Sequence, residues 1–190
     1  MLEEHAEQIL LSPAEALAAV RAWEQQGALL SLALRHVEAT KTFADDGTVS
    51  MNAWLRNHAK MGERTASALL SVGRFLDANT AFAEAAVSGS LSAGQITVAK
   101  QLAHPKYTSL LGELGAELAQ TLVPLSFNDT QVAVTKWRTR ADAVLDDGEP
   151  PVEAPNELCL ARTLDGRLHG TRSQFFVVIP EVLNAVLYKT

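Results

Sequence analysis

The sequence has 190 residues, of which 47% are hydrophobic and 20% charged, and this composition indicates a soluble globular protein with one domain and room for a second small one. The net charge of −6 excludes a polycation, and the single cysteine, Cys159, excludes an internal disulfide and a zinc site made of paired cysteines. Because no apolar run approaches the roughly 20 residues that span a bilayer, and because the acidic start of the chain does not fit a signal peptide, we expect a cytoplasmic protein with no membrane partner.

The first predicted helix is long. Ser12 can cap it, Pro13 suits its first turn, and Glu15 completes a capping box. Gly27 interrupts the pattern and indicates a kink or a close packing point. The helix is expected to extend to about Phe43 and to serve as a spine for the others. Its apolar residues recur at roughly helical spacing: Leu17, Val20, Leu30, Leu34 and Val37.

Two shorter helices are predicted next, around a tight joint at Lys60-Met61-Gly62. Ser50 caps the first, over 51–60, in which Trp54 and Leu55 are the expected buried anchors. The second covers 63–77. Its expected inward residues are Ala66, Leu69, Leu70, Val72 and Leu76, and its small residues Ala66, Ser67, Ala68 and Gly73 permit close helix contact.

The same format repeats further along the chain. A helix over 80–87 ends at Ser88-Gly89-Ser90, and Ser92 caps another over 93–103. Pro105 ends that helix because proline disfavours helical backbone at the residue before it. Residues 50–103 therefore predict two helix-turn-helix units in tandem.

Two more helices and a change of period complete the chain. Helices are predicted over 107–121 and 129–145, the second capped by Ser126 or Asn128. Beyond them, alternating runs flank Asp165-Gly166, which is a strong hairpin signal, and Pro180 opens a last helix that the chain leaves unfinished. The predicted helical stripes consist of Leu110, Leu111, Leu114 and Leu118 in the first helix, and of Val132, Trp137 and Val144 in the second.

The fold class that follows is mainly α. We predict a multi-helix bundle with tandem helix-turn-helix-like units over 1–145, a linker over 146–156, and a small C-terminal β-hairpin plus the start of a helix over 157–190. Because neither a cap nor a closing turn follows that last helix, we expect a truncated chain.

Charge is uneven along the sequence, and residues 48–76 form its one clearly positive block, with four bases and one acid. In a helix-turn-helix the first turns of the second helix face base edges. Arg64 and Ser67 are therefore candidate base readers, Arg56 and Lys60 candidate phosphate contacts, and Arg74 an extension of the positive strip. The alternative is an ordinary corner of a helical bundle, which has the same format. A second basic group, Lys136, Arg138 and Arg140 around Trp137, does not share one helix face.

No catalytic constellation is found in the sequence. There is no HExxH motif, no phosphate-binding loop and no dinucleotide fingerprint. We therefore predict no catalytic residue, metal or cofactor in this chain. The histidines are scattered, and none stands four residues from another: His5, His36, His58, His104 and His169.

Three segments resemble one family, the domain of unknown function 222, also called the 13E12-repeat family. They are "DGTVSMNAWLRNHAKMGERTASALLSVGRFL", "FAEAAVSGSLSAGQITVAKQL" and "DGRLHGTRSQFFVVIPEVLNAVL". The resemblance covers roughly 13–188. Its most specific residues form two patterns, Gly47, Ser50, Trp54 and Leu55 in the first, and Gly89, Leu91, Ser92 and Gln95 in the second.

In that family such a helical region usually precedes an HNH endonuclease domain. The resemblance implies a nuclease-associated module that binds double-stranded DNA or is regulatory. Catalysis and any divalent metal would belong to a nuclease domain outside these residues. The alternative is a structural or protein-interaction scaffold without DNA binding, which the alanine-rich, acidic composition also fits and which would form a homo-oligomer.

Overall fold

The computed structural model describes residues 12–146 and two strand segments, 159–162 and 168–171. The predicted mainly helical class is confirmed. The chain divides into two compact units, Met1–Ala103 and His104–Thr190. The described residues form seven α-helices, which are α1 Pro13–Thr40, α2 Met51–His58, α3 Glu63–Ala78, α4 Thr80–Val87, α5 Ala93–Ala99, α6 Thr108–Leu122 and α7 Phe127–Leu145, and three 3-10 turns, Thr42–Asp46, Lys100–Leu102 and Pro105–Tyr107.

Two short strands lie in the second unit. Strand β1 (Cys159–Arg162) pairs antiparallel with strand β2 (Leu168–Thr171), so that Cys159 stands opposite Thr171. The predicted Asp165-Gly166 turn, the linker residues 147–156 and the C-terminal helix lie outside the described residues.

The start of α1 forms as predicted and its end does not. The Ser12 hydroxyl accepts from the Glu15 amide, and the Glu15 carboxylate accepts from the Ser12 amide, which completes the capping box. Lys41 adopts a left-handed conformation (φ 57°) and ends the helix at Thr40. The stretch up to Phe43, predicted as α-helix, therefore begins a 3-10 turn instead, and Gly47 (φ 79°) ends that turn.

Only the downstream half of α1 is packed. Ala28, Ser31 and Leu34 are buried, whereas the expected stripe residues Leu17, Val20 and Leu30 are exposed. The spacing of the apolar residues is helical throughout, but the other helices of the first unit contact α1 only from Glu24 onward. Apolar periodicity therefore predicted the helix correctly and its buried length wrongly.

Close contact between α1 and α3 depends on Gly73. A Cβ atom at Gly73 would lie 2.2 Å from the Ser31 carbonyl oxygen, so only glycine fits there. The prediction that Gly73 permits close helix contact is thus confirmed. At Gly27, the other candidate for a packing point, an added Cβ would meet nothing within 4 Å.

A hydrophobic cluster joins α1, α2 and α3. Leu55 is a buried anchor as predicted, while Trp54 is half-buried against the cluster. Of the α3 residues expected to point inward, Leu69 and Val72 are only half-buried. The buried members of the cluster are Leu34, Met51, Leu55, Ala66 and Leu70.

Helices α4 and α5 complete the first unit. Helix α4 has the predicted bounds, and Gly89 (φ 76°) makes the turn after it. Ser92 and Gln95 form a capping box at the start of α5. Helix α5 ends at Ala99, earlier than predicted, because the chain tightens into the 3-10 turn Lys100–Leu102.

In the second unit, Trp137 and Tyr107 are the large buried side chains. Their rings meet edge to face, with centroids 5.4 Å apart. The Tyr107 hydroxyl donates to Asp142 Oδ1 at 2.6 Å. Ser126 is the cap of α7, and within that helix Val132 is exposed rather than part of a buried stripe.

Candidate nucleic-acid interface

The joint between α2 and α3 is a tight backbone turn. The amides of Ala59 and Met61 both donate to the Leu55 carbonyl, at 3.0 and 3.3 Å, and Lys60 adopts a left-handed conformation (φ 54°). Gly62 then begins α3 without any side-chain cap. The first amides of α3 are therefore not bonded by a capping side chain, and such amides together with the helix dipole favour anions.

Three of the predicted cations lie exposed around this joint. Arg56 and Arg64 are exposed and form no ion pair with the described part of the chain. The Lys60 ammonium donates to the Asn57 carbonyl at 2.8 Å, a neutral acceptor that leaves its charge uncompensated. Glu63, in the first turn of α3, opposes these positive charges in part.

Ser67 and Arg74 lie on the same side of α3 as Arg64. They stand three and ten residues beyond Arg64, and ten residues correspond to about 15 Å along a helix. Ser67 is exposed, and its hydroxyl lies 3.4 Å from Asn52 Oδ1 in α2.

Arg74 is held by an acid from α1. Its Nε donates to Glu38 Oε2 at 2.9 Å, and a second guanidinium nitrogen contacts Glu38 Oε1. This hydrogen bonding from Arg74 is the largest cause that holds the pKa of Glu38 below its ordinary value. Arg35 bonds the same carboxylate at 3.1 Å and Asp77 at 3.0 Å. The positive strip therefore loses strength toward Arg74.

The sequence did not reveal the acids that organise this region. Asp46 Oδ2 lies 2.7 Å from His58 Nε2. The His58 ring stacks on Trp54, with ring centroids 5.1 Å apart. Hydrogen bonding from the Thr48 hydroxyl is the main cause that lowers the pKa of Asp46. Glu38 lies 36 residues before its partner Arg74, and Asp46 lies 12 residues before His58. No local sequence pattern marks such distant pairs.

The second helix-turn-helix unit carries no comparable charge. Residues 79–99 include Glu84 but neither lysine nor arginine. In the other predicted basic group, Arg138 is exposed, while Lys136 and Arg140 are half-buried. The α2–α3 joint therefore presents more accessible positive charge than the second helix-turn-helix unit or the basic group around Trp137.

Two further properties concern the described residues alone. They contain no group of three or more His, Cys, Asp or Glu side chains placed to hold a metal ion. None of their helices combines the length and the hydropathy that crossing a bilayer requires.

Comparisons with family models, with characterised proteins and with solved structures found no match to this chain. The resemblance to the domain of unknown function 222 family stays a prediction that depends on its sequence motifs.

Proposed function

We propose that the α2–α3 unit binds double-stranded DNA, and that the chain is a DNA-binding or regulatory module of an HNH-endonuclease-associated protein. One observation carries the proposal. Arg56 and Arg64 stay exposed and unpaired among the described residues, whereas Glu38 holds Arg74 of α3. Glu38 and Asp77 likewise hold Arg35 of α1. Exposed, uncompensated cations on a helix-turn-helix are suited to phosphate contact.

Each residue has a distinct proposed role. Arg56 and Lys60 contact phosphates beside the turn, and the uncapped amides at the start of α3 supply further donors to the same backbone. Arg64 and Ser67, on the exposed side of α3, face base edges. Arg74 extends the strip only weakly because Glu38 neutralises it. Most of the affinity is therefore expected from phosphates.

Alanine variants of the arginines test this assignment. We expect Arg56→Ala and Arg64→Ala each to weaken the binding of random-sequence duplex DNA. Each should also reduce, by about one, the slope of the logarithm of the binding constant against the logarithm of the salt concentration. Arg21→Ala is the matched control, because it removes the same charge from an exposed position on α1. Binding that Arg21→Ala weakens as much as Arg64→Ala would show that bulk charge, and not the joint, contacts DNA.

A protein-interaction scaffold is the second candidate function. The observation that favours it is the uncovered upstream half of α1, where Leu17, Val20 and Trp23 are 51%, 52% and 73% exposed. Monomeric soluble proteins seldom leave large apolar side chains exposed together on one helix face, and such faces mark interaction sites.

A further inference from the structure

We infer that the upstream half of α1 is a self-association surface that takes a second copy of this chain. We call Leu17, Val20, Trp23 and the cavity beside Trp23 the α1 face. The inference is independent of the proposed DNA site, which involves other helices.

The α1 face continues the packed side of the helix. Leu17 and Val20, followed by Glu24, Gly27, Ser31 and Leu34, recur at alternating steps of three and four residues. This spacing keeps one side of a helix against a neighbour over its whole length. Downstream that neighbour is α3, whereas upstream every residue from Ser12 to Trp23 is exposed among the described residues.

An uncovered helical segment of this length is physically costly. Isolated helices shorter than about 12–15 residues are marginal in water, and most helical stability in proteins comes from packing of an apolar face. The capping box at Ser12 supplies only about 1 kcal/mol. A partner that covers Leu17 and Val20 would supply the missing stabilisation.

The charge of the segment favours a copy of itself. Residues 12–23 carry one acid, Glu15, and one base, Arg21, so two such segments meet without net repulsion although the whole chain carries −6. A strongly charged partner would find no complementary charge there. Ala16 stands four residues before Val20 on the same side of the helix, and its small side chain lets a second helix backbone approach.

The face also offers both halves of a self-complementary contact. Trp23 projects into solvent, and beside it lies a cavity of about 240 Å³ whose lining includes Gly27, Leu69, Val72 and Ile96. In a twofold dimer both copies present the same patch, so each can place its protruding side chain in the cavity of the other. We propose that Trp23 is that side chain.

A charge placed on this face tests the inference. The full chain should dimerise reversibly in analytical ultracentrifugation over a concentration series. Val20→Asp should raise the dissociation constant at least about tenfold, because the dimer would then bury an unpaired carboxylate. Val20 is exposed, so the monomer should keep its fold by circular dichroism.

Leu29→Asp is the matched control. Leu29 is an exposed leucine of the same helix, and it stands nine residues from Val20, which is about 180° around the axis. The Leu29→Asp variant should dimerise with the same dissociation constant as the unaltered chain. A chain that stays monomeric at the highest concentration, or a Leu29→Asp variant that weakens association as much as Val20→Asp, would overturn the inference.

Fluorescence reports Trp23 directly. Trp137 is buried and Trp54 half-buried, so the emission that Trp23→Phe removes comes from an indole 73% exposed in the structure. That emission should shift to shorter wavelength over the concentration range in which dimers form. Dimers that form without this shift would contradict the placement of Trp23 in the partner's cavity.

Discussion

The two helix-turn-helix units of the first compact unit share a format and differ in surface. The turn between α2 and α3 ends at Gly62, which leaves the next helix without a side-chain cap, and Arg56, Lys60 and Arg64 surround it. The turn between α4 and α5 uses Gly89, a capping box follows it, and residues 79–99 contain no base.

This difference shows that the helix-turn-helix format alone does not indicate DNA contact. Both units bury apolar residues, and both join their helices by a short turn that contains a glycine, as corners of helical bundles do. The exposed charge and the open helix start distinguish the first unit, and these features follow from side chains outside the core. The proposed function therefore depends on the surface of the α2–α3 unit rather than on its topology.

The largest expected effect comes from breaking the support of α3. Gly73→Ala places a Cβ atom against the Ser31 carbonyl oxygen, so the two helices must separate. We expect a loss of about 3 kcal/mol in the free energy of unfolding by urea denaturation. Gly112→Ala, in open space on α6, is the control and should instead stabilise by about 0.5–1 kcal/mol. A neutral Gly73→Ala would refute the close packing of α1 on α3.

The same substitution at the two turns sharpens the comparison. Gly89→Ser forces a side chain onto a φ of 76° and against Gln25, and we expect it to cost about 1 kcal/mol in the free energy of unfolding. Gly62→Ser meets no atom and supplies the missing cap of α3, so it should stabilise by a few tenths of a kcal/mol. Thermal unfolding of both variants measures the difference as a shift in Tm relative to the unaltered chain. Equal shifts in Tm would contradict the expected difference between the two turns.

A smaller effect concerns pH. Because the pKa of Glu38 is lowered in the folded chain, the unfolded chain binds more protons in acid, and this contribution to stability is lost as pH falls through the folded pKa. Glu38→Gln should therefore flatten the acid side of the stability curve. We expect less than about 1 kcal/mol, since the Arg74 side chain is 55% exposed. Urea denaturation midpoints of both chains at neutral and acid pH measure this difference. If stability falls equally with pH in Glu38→Gln and in the unaltered chain, the ion pair is contradicted.

Local sequence signals predicted the helices well. The Ser12 capping box, the Ser92 cap and the bounds of α4 follow from neighbouring residues, so the sequence alone identified them. The α1 face and the Arg74–Glu38 pair depend on which helices meet, and apolar period and charge counts carry no such information. For this reason the sequence predicts Arg74 as an extension of the positive strip, whereas the structure pairs it with Glu38 and leaves Arg56, Lys60 and Arg64 exposed.

The salt dependence of DNA binding tests the central claim most directly. The 190-residue chain would be titrated with random-sequence duplex DNA at about 50 mM and 200 mM salt, the range over which phosphate contacts lose most of their strength. The proposed interface predicts binding at the lower concentration that falls steeply at the higher. Absence of binding at low salt would contradict it and would leave the scaffold function of the α1 face.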